Sequence, residues 1–294
     1  MSPARVSLFR VLSEWRDWQL CQSAPKLTDC AVLPGGLTNQ SWLLKLPEGR
    51  FVLRLNAANG GQLDINRQAE YQARTLAAAQ QLAPAVRYRC PQERYWISDY
   101  LVGEPLSQQL LAGSPTDQTL QQLAGQLGCL HGLPLDDLDN MPRLQVAPKA
   151  AVYWQLIHQH YASTYPQFDW LALEQQLQRQ LAAAPSERLS LCHMDANPDN
   201  WIHTTNGWQL LDWEYAALGH PYWDLAGLVV AAGWRGEVLQ RWLAANQLVA
   251  DDPVWQRALA QQQYFSVLWY GAQQLLPAER LWQQLQQLRI NTED

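Results

Sequence analysis

Short apolar-rich runs separated by turn residues in the first hundred residues predict a small antiparallel sheet. One β-hairpin is predicted by two apolar-rich runs, LTNQSWLLKL and RFVLRLN, which are separated by the turn signal PEG. Two further strands are predicted by AVRYRC and RYWISDYL, which have Pro91 between them. The turn residues between these runs therefore predict where the chain reverses.

A single helix is predicted between the two pairs of strands. The run INRQAEYQARTLAAAQQL consists mainly of good helix formers, and Asp64 stands where an N-cap is expected. The run stops at Ala83-Pro84, and a residue before proline avoids the helical conformation. We therefore expect the helix to end at this pair.

Beyond Gly103 and Pro105 the pattern changes to apolar residues at helical spacing. Helices rich in Leu, Ala and Gln are predicted for TDQTLQQLAGQLGCLHGL, YWQLIHQHYAS, LALEQQLQRQLAA and WQRALAQQQYFSVLWYGAQQLL, the first of them capped at Ser114-Pro115. We therefore predict an α+β fold in two lobes. A small antiparallel-sheet lobe with one helix would span residues 1–102, and a larger, mainly helical lobe would span residues 103–294.

Composition and charge narrow the function classes. The formal net charge of −6 disfavours nucleic acid as the main partner, because a phosphate backbone needs a basic face. The five cysteines are an odd number without a CxxC pair, so neither a disulfide framework nor a zinc ribbon is expected. Acidic residues follow the first apolar run closely, and LAGLVVAAGW is shorter than the roughly 20 residues of a membrane span. We expect a cytoplasmic protein without a membrane partner, and the sequence indicates no obligate protein partner.

The densest group of chemically useful side chains lies in the segment LCHMDANPDNWIHTTNGWQLLDWEYA, residues 191–216. Its NPDN turn residues place Asp195 and Asn200 on a loop. The Asn206-Gly207 pair predicts a hairpin, which would fold Asp212 back towards Asn200. Carboxylate and amide oxygens suit Mg²⁺, and Asp195 remains available as a base.

This spacing matches the pattern HxDxxxxN followed by an aspartate, with which kinases catalyse phosphoryl transfer. Here the positions are His193, Asp195, Asn200 and Asp212. The alternative is a polar loop whose Asp and Asn side chains only cap turns.

The segment resembles the aminoglycoside phosphotransferase/choline kinase superfamily, whose members share a protein-kinase-like fold. LLDWEYA is especially similar to choline and thiamine kinases. The resemblance extends from about Leu33 to Leu228: LPGGLTNQSWLL resembles the nucleotide-binding loop, FVLRL the third strand, NRQAEYQA helix C, and LGCLHGLP and HPYWDLA later motifs. It implies that residues 1–102 bind the nucleotide and that residues 103–294 carry the catalytic loop and the substrate site.

The resemblance also implies roles in the catalytic segment. Asp195 would be the catalytic residue that accepts the proton of a substrate hydroxyl, while Asn200 and Asp212 would hold Mg²⁺ against the phosphates of ATP. Glu214 matches a position that serves a second metal in choline kinases, or is a surface carboxylate. His193 is expected to shape the loop through backbone contacts. Asp224 is expected to brace the loop.

Further positions are implied for nucleotide binding. Gly35 and Gly36 would let the backbone approach the phosphates closely. Arg54 and Glu70 match the cation–acid pair that positions the phosphates, with arginine where the superfamily has lysine; the alternative is an exposed arginine on an edge strand. The inter-lobe segment that would bind adenine through its backbone contains Asp99, Tyr100 and Leu101.

HPYWDLA follows Asp212 within a dozen residues, which leaves no room for the long activation segment with which a protein kinase seats a peptide. The expected acceptor is therefore a small molecule with a hydroxyl group. The chain has 15 Trp and 11 Tyr, and aromatic faces attract quaternary cations. A cationic alcohol is therefore expected, with thiamine as first choice, choline or ethanolamine as the runner-up, and an aminoglycoside third. Trp213 and Tyr215 are better placed to face it than Tyr264, Phe265, Trp269 and Tyr270, whose helical spacing is more typical of a core.

Two alternatives in which the protein is not an enzyme stay open. A pseudokinase would bind nucleotide and regulate a partner without transferring phosphate. A purely structural helical protein would leave the clustered acids without a role.

Overall fold

The computed structural model describes residues 7–34, 39–56, 65–136, 138, 140–181 and 188–290. The predicted α+β class is confirmed. Its strands are β1 (Cys30–Val32), β2 (Gln40–Leu46), β3 (Gly49–Leu55), β4 (Val86–Arg89), β5 (Tyr95–Asp99), β6 (Glu104–Pro105), β7 (Ser190–Cys192), β8 (Trp201–Thr204), β9 (Gly207–Leu210) and β10 (Ala217–Gly219). Its helices are α1 (Leu8–Ser13), α2 (Trp15–Trp18), α3 (Arg67–Ala79), α4 (Leu106–Ala112), α5 (Asp117–His131), α6 (Val146–Ile157), α7 (Trp170–Leu181), α8 (Tyr222–Ala232), α9 (Gly236–Ala245), α10 (Pro253–Ala272) and α11 (Ala278–Ile290).

The first five strands form one antiparallel sheet in the order β1-β2-β3-β5-β4. The predicted hairpin is present as β2 and β3, with Leu46 opposite Gly49 at its turn. Strand β3 is central because β2 and β5 pair with its two edges. Helices α1 and α2 contribute Val11, Leu12 and Trp18 to the small core of this sheet.

Helix α3 connects the five-stranded sheet to the mainly helical part of the protein, which runs from α4 to α11 and is called the helical half below. Its buried alanines Ala69, Ala73 and Ala77 belong to the large core of the helical half and not to the small core under the sheet. Leu82, just beyond the helix, accepts a hydrogen bond from the backbone N–H of Leu210 in β9 (2.7 Å). The turn that follows α3 is therefore hydrogen-bonded to β9, within the segment 191–216.

Two predicted helix starts are wrong by a few residues. Helix α3 is capped by Asn66, whose side chain accepts from the N–H groups of Gln68 and Ala69; Asp64 lies outside the described residues. Helix α5 is capped by Thr116, which accepts from Thr119, and not by Ser114-Pro115. In each case the capping residue is the one whose oxygen reaches the unpaired N–H groups of the first turn.

The segment 191–216 contributes strands to two small sheets. Strands β7 and β10 pair with each other, and β6, β8 and β9 form a three-stranded sheet. The hairpin predicted at Asn206-Gly207 is present as β8 and β9.

In the part of the chain that the structure describes, no helix combines the length and apolar character needed to cross a lipid bilayer.

Candidate active site

The loop after β7 is held by the buried carboxylate of Asp224, the third residue of α8. Asp224 Oδ2 accepts from the His193 N–H (2.8 Å) and Oδ1 accepts from the Met194 N–H (2.7 Å). His131 Nε2, at the end of α5, lies 2.9 Å from Asp224 Oδ2. Burial raises the pKa of Asp224, but the hydrogen bond and charge of His131 outweigh it and leave the pKa below its ordinary value. Asp224 thus fixes a backbone in which Met194 has the left-handed φ of 68°.

The side chain of His193 connects this loop to the end of the following hairpin. Its Nε2 lies 2.8 Å from the carbonyl oxygen of Leu211, and its ring packs edge-on against Trp213 at 4.6 Å between centroids. His193 is completely buried, and burial lowers its pKa. Its contacts are those of a residue that shapes the loop. Trp213 is also buried in the core, so it does not face a substrate.

Asp195 is held by two amide side chains of the same loop. Oδ1 accepts from Asn197 Nδ2 (2.9 Å), and Oδ2 accepts from Asn200 Nδ2 (3.1 Å). Burial raises the pKa of Asp195 to about 6, although both hydrogen bonds act in the opposite direction. The carboxylate is therefore oriented by its neighbours and has a pKa close to neutrality.

Asn200 and Asp212 are brought together by the return of the hairpin. The Leu211 N–H donates to the carbonyl oxygen of Asn200 (2.8 Å), so Asp212 follows directly beside it. Asp212 has a left-handed φ of 59°, and about a third of its side chain (32%) is exposed. Burial of the rest raises its pKa to about 6, although Arg54 lowers it. The three residues predicted to converge, Asp195, Asn200 and Asp212, do so.

The donor atoms of Asn200 and Asp212 fit a magnesium ion. Asn200 uses its amino group towards Asp195, which leaves its carbonyl oxygen as an acceptor. Asp212 uses Oδ1 towards Arg54, which leaves its second carboxylate oxygen. Hard oxygen donors of this kind are the ligands that Mg²⁺ prefers.

A second group of metal-type side chains has a structural role. Among the described residues, the compact cluster of His, Cys, Asp or Glu is His131, Cys192 and Asp224, with ligand atoms within 4.8 Å of one another. Asp224 is engaged by His131 and by the loop amides. The Cys192 thiol contacts the carbonyl oxygens of Ser190, Gly219 and His220, and burial raises its pKa well above the ordinary value. These contacts brace the loop.

Arg54 and Glu70 form the predicted cation–acid pair. Arg54 Nη2 lies 2.6 Å from Glu70 Oε1, and Arg54 Nη1 donates to Asp212 Oδ1 at 3.0 Å. The guanidinium is 3.9 Å from the ring centroid of Trp96, a cation–π distance. The exposed-arginine alternative is wrong, because Arg54 is 7% exposed and lies on the central strand β3.

Glu214 is buried, so its alternative as a surface carboxylate is also wrong. It is 4% exposed and accepts from Asn39 Nδ2 at 2.7 Å. Arg67 Nη1 lies 3.4 Å from the same oxygen, Oε2. Burial, followed by the charge of Asp212, raises the pKa of Glu214 to about 7.

Of the other residues predicted to bind nucleotide, Asp99 and Leu101 are among the described residues, and no side-chain contact joins either of them to this cluster. Asp99 forms a two-pronged ion pair with Arg87 at the surface (2.7 and 2.8 Å). Leu101 follows the end of β5, with only its backbone at the predicted position. Gly35 and Gly36 lie outside the described residues.

Three residues of the site were missed by sequence reasoning: Asn39, Arg67 and Asn197. The i,i+3 spacing of Arg67 and Glu70 on one helix was a usable signal. Asn197 Oδ1 accepts from the Asp199 N–H at 2.9 Å, the contact of an Asx turn, for which the Asn-Pro-Asp sequence was a usable signal. No local signal pairs Asn39 with Glu214, since they lie far apart along the chain.

The tyrosine next to Glu214 carries a cation on its ring. Lys149 Nζ lies 4.9 Å from the centroid of Tyr215, and Trp269 Nε1 donates to the Tyr215 hydroxyl at 3.4 Å. Burial raises the pKa of Tyr215, and the charges of Glu214 and Asp195 raise it further. In α10 the core interpretation is confirmed for Tyr264 and Phe265, both buried, while Trp269 is half-buried and Tyr270 exposed.

Comparison with known proteins decides the family. The sequence matches the model of the phosphotransferase enzyme family over residues 29–287. The chain belongs to this family. A relative described as thiamine kinase, from Shigella dysenteriae serotype 1, is 28% identical over 236 residues, which are 80% of this chain and 75% of the relative.

Solved structures show that this phosphotransferase has a protein-kinase-like fold. Choline kinase LicA from Streptococcus pneumoniae superposes with a TM-score of 0.70 at 19% identity, covering 96% of this chain and 97% of LicA. A streptomycin–ATP–APH(2")-IIa ternary complex superposes with a TM-score of 0.65 at 17% identity, covering 93% and 92% of the two chains. The predicted superfamily and fold are confirmed.

Proposed function

We propose that this phosphotransferase is an ATP- and Mg²⁺-dependent kinase that phosphorylates a hydroxyl group of a small molecule, with thiamine as the first candidate. The proposal is carried by one observation: Asp195, Asn200 and Asp212 converge beside the Arg54–Glu70 pair. Residues 1–102 would form the nucleotide-binding lobe, and residues 103–294 would carry the catalytic loop and the acceptor site.

Each part of the cluster has a defined task in this reaction. Asp195 would orient the acceptor hydroxyl and take its proton as the oxygen attacks the γ-phosphorus; the bond between the γ-phosphorus and the bridging oxygen breaks, and ADP leaves. Mg²⁺ held by Asn200 and Asp212 would offset negative charge on the β- and γ-phosphates. Arg54 binds phosphate oxygens through its planar guanidinium while Glu70 orients it.

The rest of the nucleotide is assigned to backbone groups. The backbone around Asp99 and Leu101 would bind the adenine, and Gly35 and Gly36 would lie against the phosphates. ATP as the phosphate donor is supported by the superposed complex that contains it.

Thiamine is preferred because the relative that matches 80% of the chain is described as a thiamine kinase. Choline or ethanolamine is the second candidate, supported by the superposition on LicA. An aminoglycoside is third, since the net charge of −6 is modest for recognition of a polycation.

The test is ADP release with Mg-ATP and a panel of thiamine, choline, ethanolamine and kanamycin. We expect turnover with one acceptor, and a loss of roughly 10²–10⁴-fold in Asp195→Asn with nucleotide affinity retained. Asp199→Asn is the matched control, because Asp199 lies exposed on the same loop, and it should keep full activity. ATP that raises the melting temperature without turnover of any acceptor would favour the pseudokinase instead.

A further inference from the structure

Arg67, the first residue of α3, makes three polar contacts inside the candidate active site. Its Nη1 lies 2.8 Å from Glu70 Oε2 and 3.4 Å from Glu214 Oε2, and its Nη2 donates to Asn39 Oδ1 at 3.0 Å. Its side chain is only 11% exposed. A buried arginine with three partners from three parts of the chain is more than a solvated helix residue.

Glu70 lies between two guanidinium groups. Arg54 contacts its Oε1 at 2.6 Å, and Arg67 contacts its Oε2 at 2.8 Å. Each arginine also forms an ion pair with one acid of the segment 212–214: Arg54 with Asp212, and Arg67 with Glu214. Two parallel ion-pair connections therefore join α3 to the metal-binding segment.

Nucleotide binding would affect the connection through Arg54 more directly than the connection through Arg67. In the proposed function, which this inference depends on, Arg54 binds phosphate oxygens and shares its charge with them. Glu70 has no exposed surface and Glu214 has almost none, so each needs a cation that stays in place. Arg67 contacts both of these carboxylates, whereas Arg54 contacts Glu70 and Asp212.

We propose that Arg67 is a positioning residue of the nucleotide site, which keeps Glu70 and Glu214 paired so that Arg54 is available to the phosphates. Without Arg67, Glu70 would draw Arg54 more strongly towards itself, and Glu214, two residues from Asp212, would keep its hydrogen bond from Asn39 but lose its cation. Nucleotide binding should therefore weaken, although Arg67 itself need not touch the nucleotide.

The test compares Arg67→Gln with wild type by calorimetric titration with a non-hydrolysable ATP analogue and Mg²⁺, together with KM for ATP and kcat. We expect the dissociation constant and KM to rise about tenfold or more, the range for loss of a charged hydrogen bond, with a smaller change in kcat. Arg67→Lys should recover part of the affinity, since it restores the charge without the planar fork.

Arg89→Gln is the matched control. Arg89 also packs on α3, where it donates to Gln68 at 3.0 Å and lies 4.5 Å from the Tyr71 ring, but it is outside the cluster. Its replacement should leave nucleotide affinity unchanged. In the double variant Arg67→Gln/Glu214→Gln, the loss should be smaller than the product of the single losses, because the two residues act together.

The inference would be overturned if Arg67 had a structural role alone. In that case Arg67→Gln would have a lower melting temperature and a lower fraction of active enzyme, while the dissociation constant of the analogue would stay within twofold of the wild-type value. Failure of the wild-type protein to bind the analogue would overturn both this inference and the proposed function, so the two failures are distinguished by the wild-type titration.

Discussion

At the residue scale, Asp195 shows how one carboxylate is tuned by its surroundings. Partial burial raises its pKa to about 6, while the amide groups of Asn197 and Asn200 stabilise the charged form and limit the rise. A base of this pKa is largely unprotonated at neutral pH and still basic enough to accept a proton. The sequence predicted the residue, but its pKa depends on packing.

The pH dependence of activity follows from this raised pKa. Because the protonated form of Asp195 cannot accept the hydroxyl proton, kcat/KM should fall as pH drops below about 6, by roughly tenfold per unit, and should level off above it. The measurement is a pH profile of ADP release at saturating Mg-ATP. Activity that stays constant down to about pH 4, the ordinary range of an aspartate, would contradict the assignment of Asp195.

Lys149 bears on the charge of the acceptor. Its ammonium occupies one face of Tyr215, the aromatic residue that follows Glu214. A cationic acceptor that stacked on this face would have to displace Lys149 and would meet a like charge. The sequence gives the number of aromatic residues, but it does not show that a lysine already packs on the ring of one of them.

Replacing Lys149 by methionine tests this effect. If the acceptor is cationic, Lys149→Met should lower its KM about two- to thirtyfold, the range of one cation–π contact, with KM for ATP unchanged. Lys45→Met is the control, since Lys45 is exposed on β2. An increase in the acceptor KM of Lys149→Met would show instead that Lys149 helps to bind the acceptor.

At the element scale, Gly103 permits the close approach of two chain segments. A Cβ atom there would overlap the carbonyl group of His203 in β8 and lie 2.8 Å from Ile202 Cγ2. Backbone of this kind cannot move aside without breaking the pairing of β6 with β8. The sequence placed Gly103 at a boundary, but the reason is steric contact with a strand distant in sequence.

Gly103→Ala should therefore destabilise the protein by about 1–3 kcal/mol, the usual range for overpacking. The matched control is Gly219→Ala, whose Cβ would meet the flexible end of Met194 at 2.7 Å and should cost less. Both are measured by urea unfolding. Equal stability of Gly103→Ala and wild type would show that β6 and β8 can separate freely.

Hairpins were predictable at this scale and caps were not. The β2–β3 and β8–β9 hairpins follow from local turn residues, PEG and Asn206-Gly207. The caps of α3 and α5 were misplaced because several polar residues precede each helix. Which of them becomes the cap, Asn66 and Thr116 in the event, depends on where the chain enters the helix.

At the scale of the whole molecule, the candidate active site lies where two parts of the protein meet, each with its own hydrophobic core. The core under the five-stranded sheet is separate from the large helical core, and α3 belongs to the second. Arg54 on β3 pairs with Asp212 in the helical half, so charged side chains cross between the parts. A ligand bound there contacts both parts and should stabilise the whole fold.

Mg-ATP should raise the melting temperature of the protein, by an amount equivalent to about 2.7 kcal/mol at a ligand concentration of 100 Kd. Asp212→Ala should remove most of this rise, because it takes away a proposed metal ligand. The measurement is thermal unfolding with and without Mg-ATP, with Asp199→Asn as the control variant. An unchanged rise in Asp212→Ala would contradict the metal assignment.

The sequence by itself determined the β2–β3 and β8–β9 hairpins and the convergence of Asp195, Asn200 and Asp212, because each of these depends on turn chemistry within a short segment. Only the tertiary structure decided that Asn39 and Arg67 pair with Glu214, across 175 and 147 positions of the chain. Contacts between such distant side chains depend on how α3 packs against the helical half. No pattern of neighbouring residues specifies that packing.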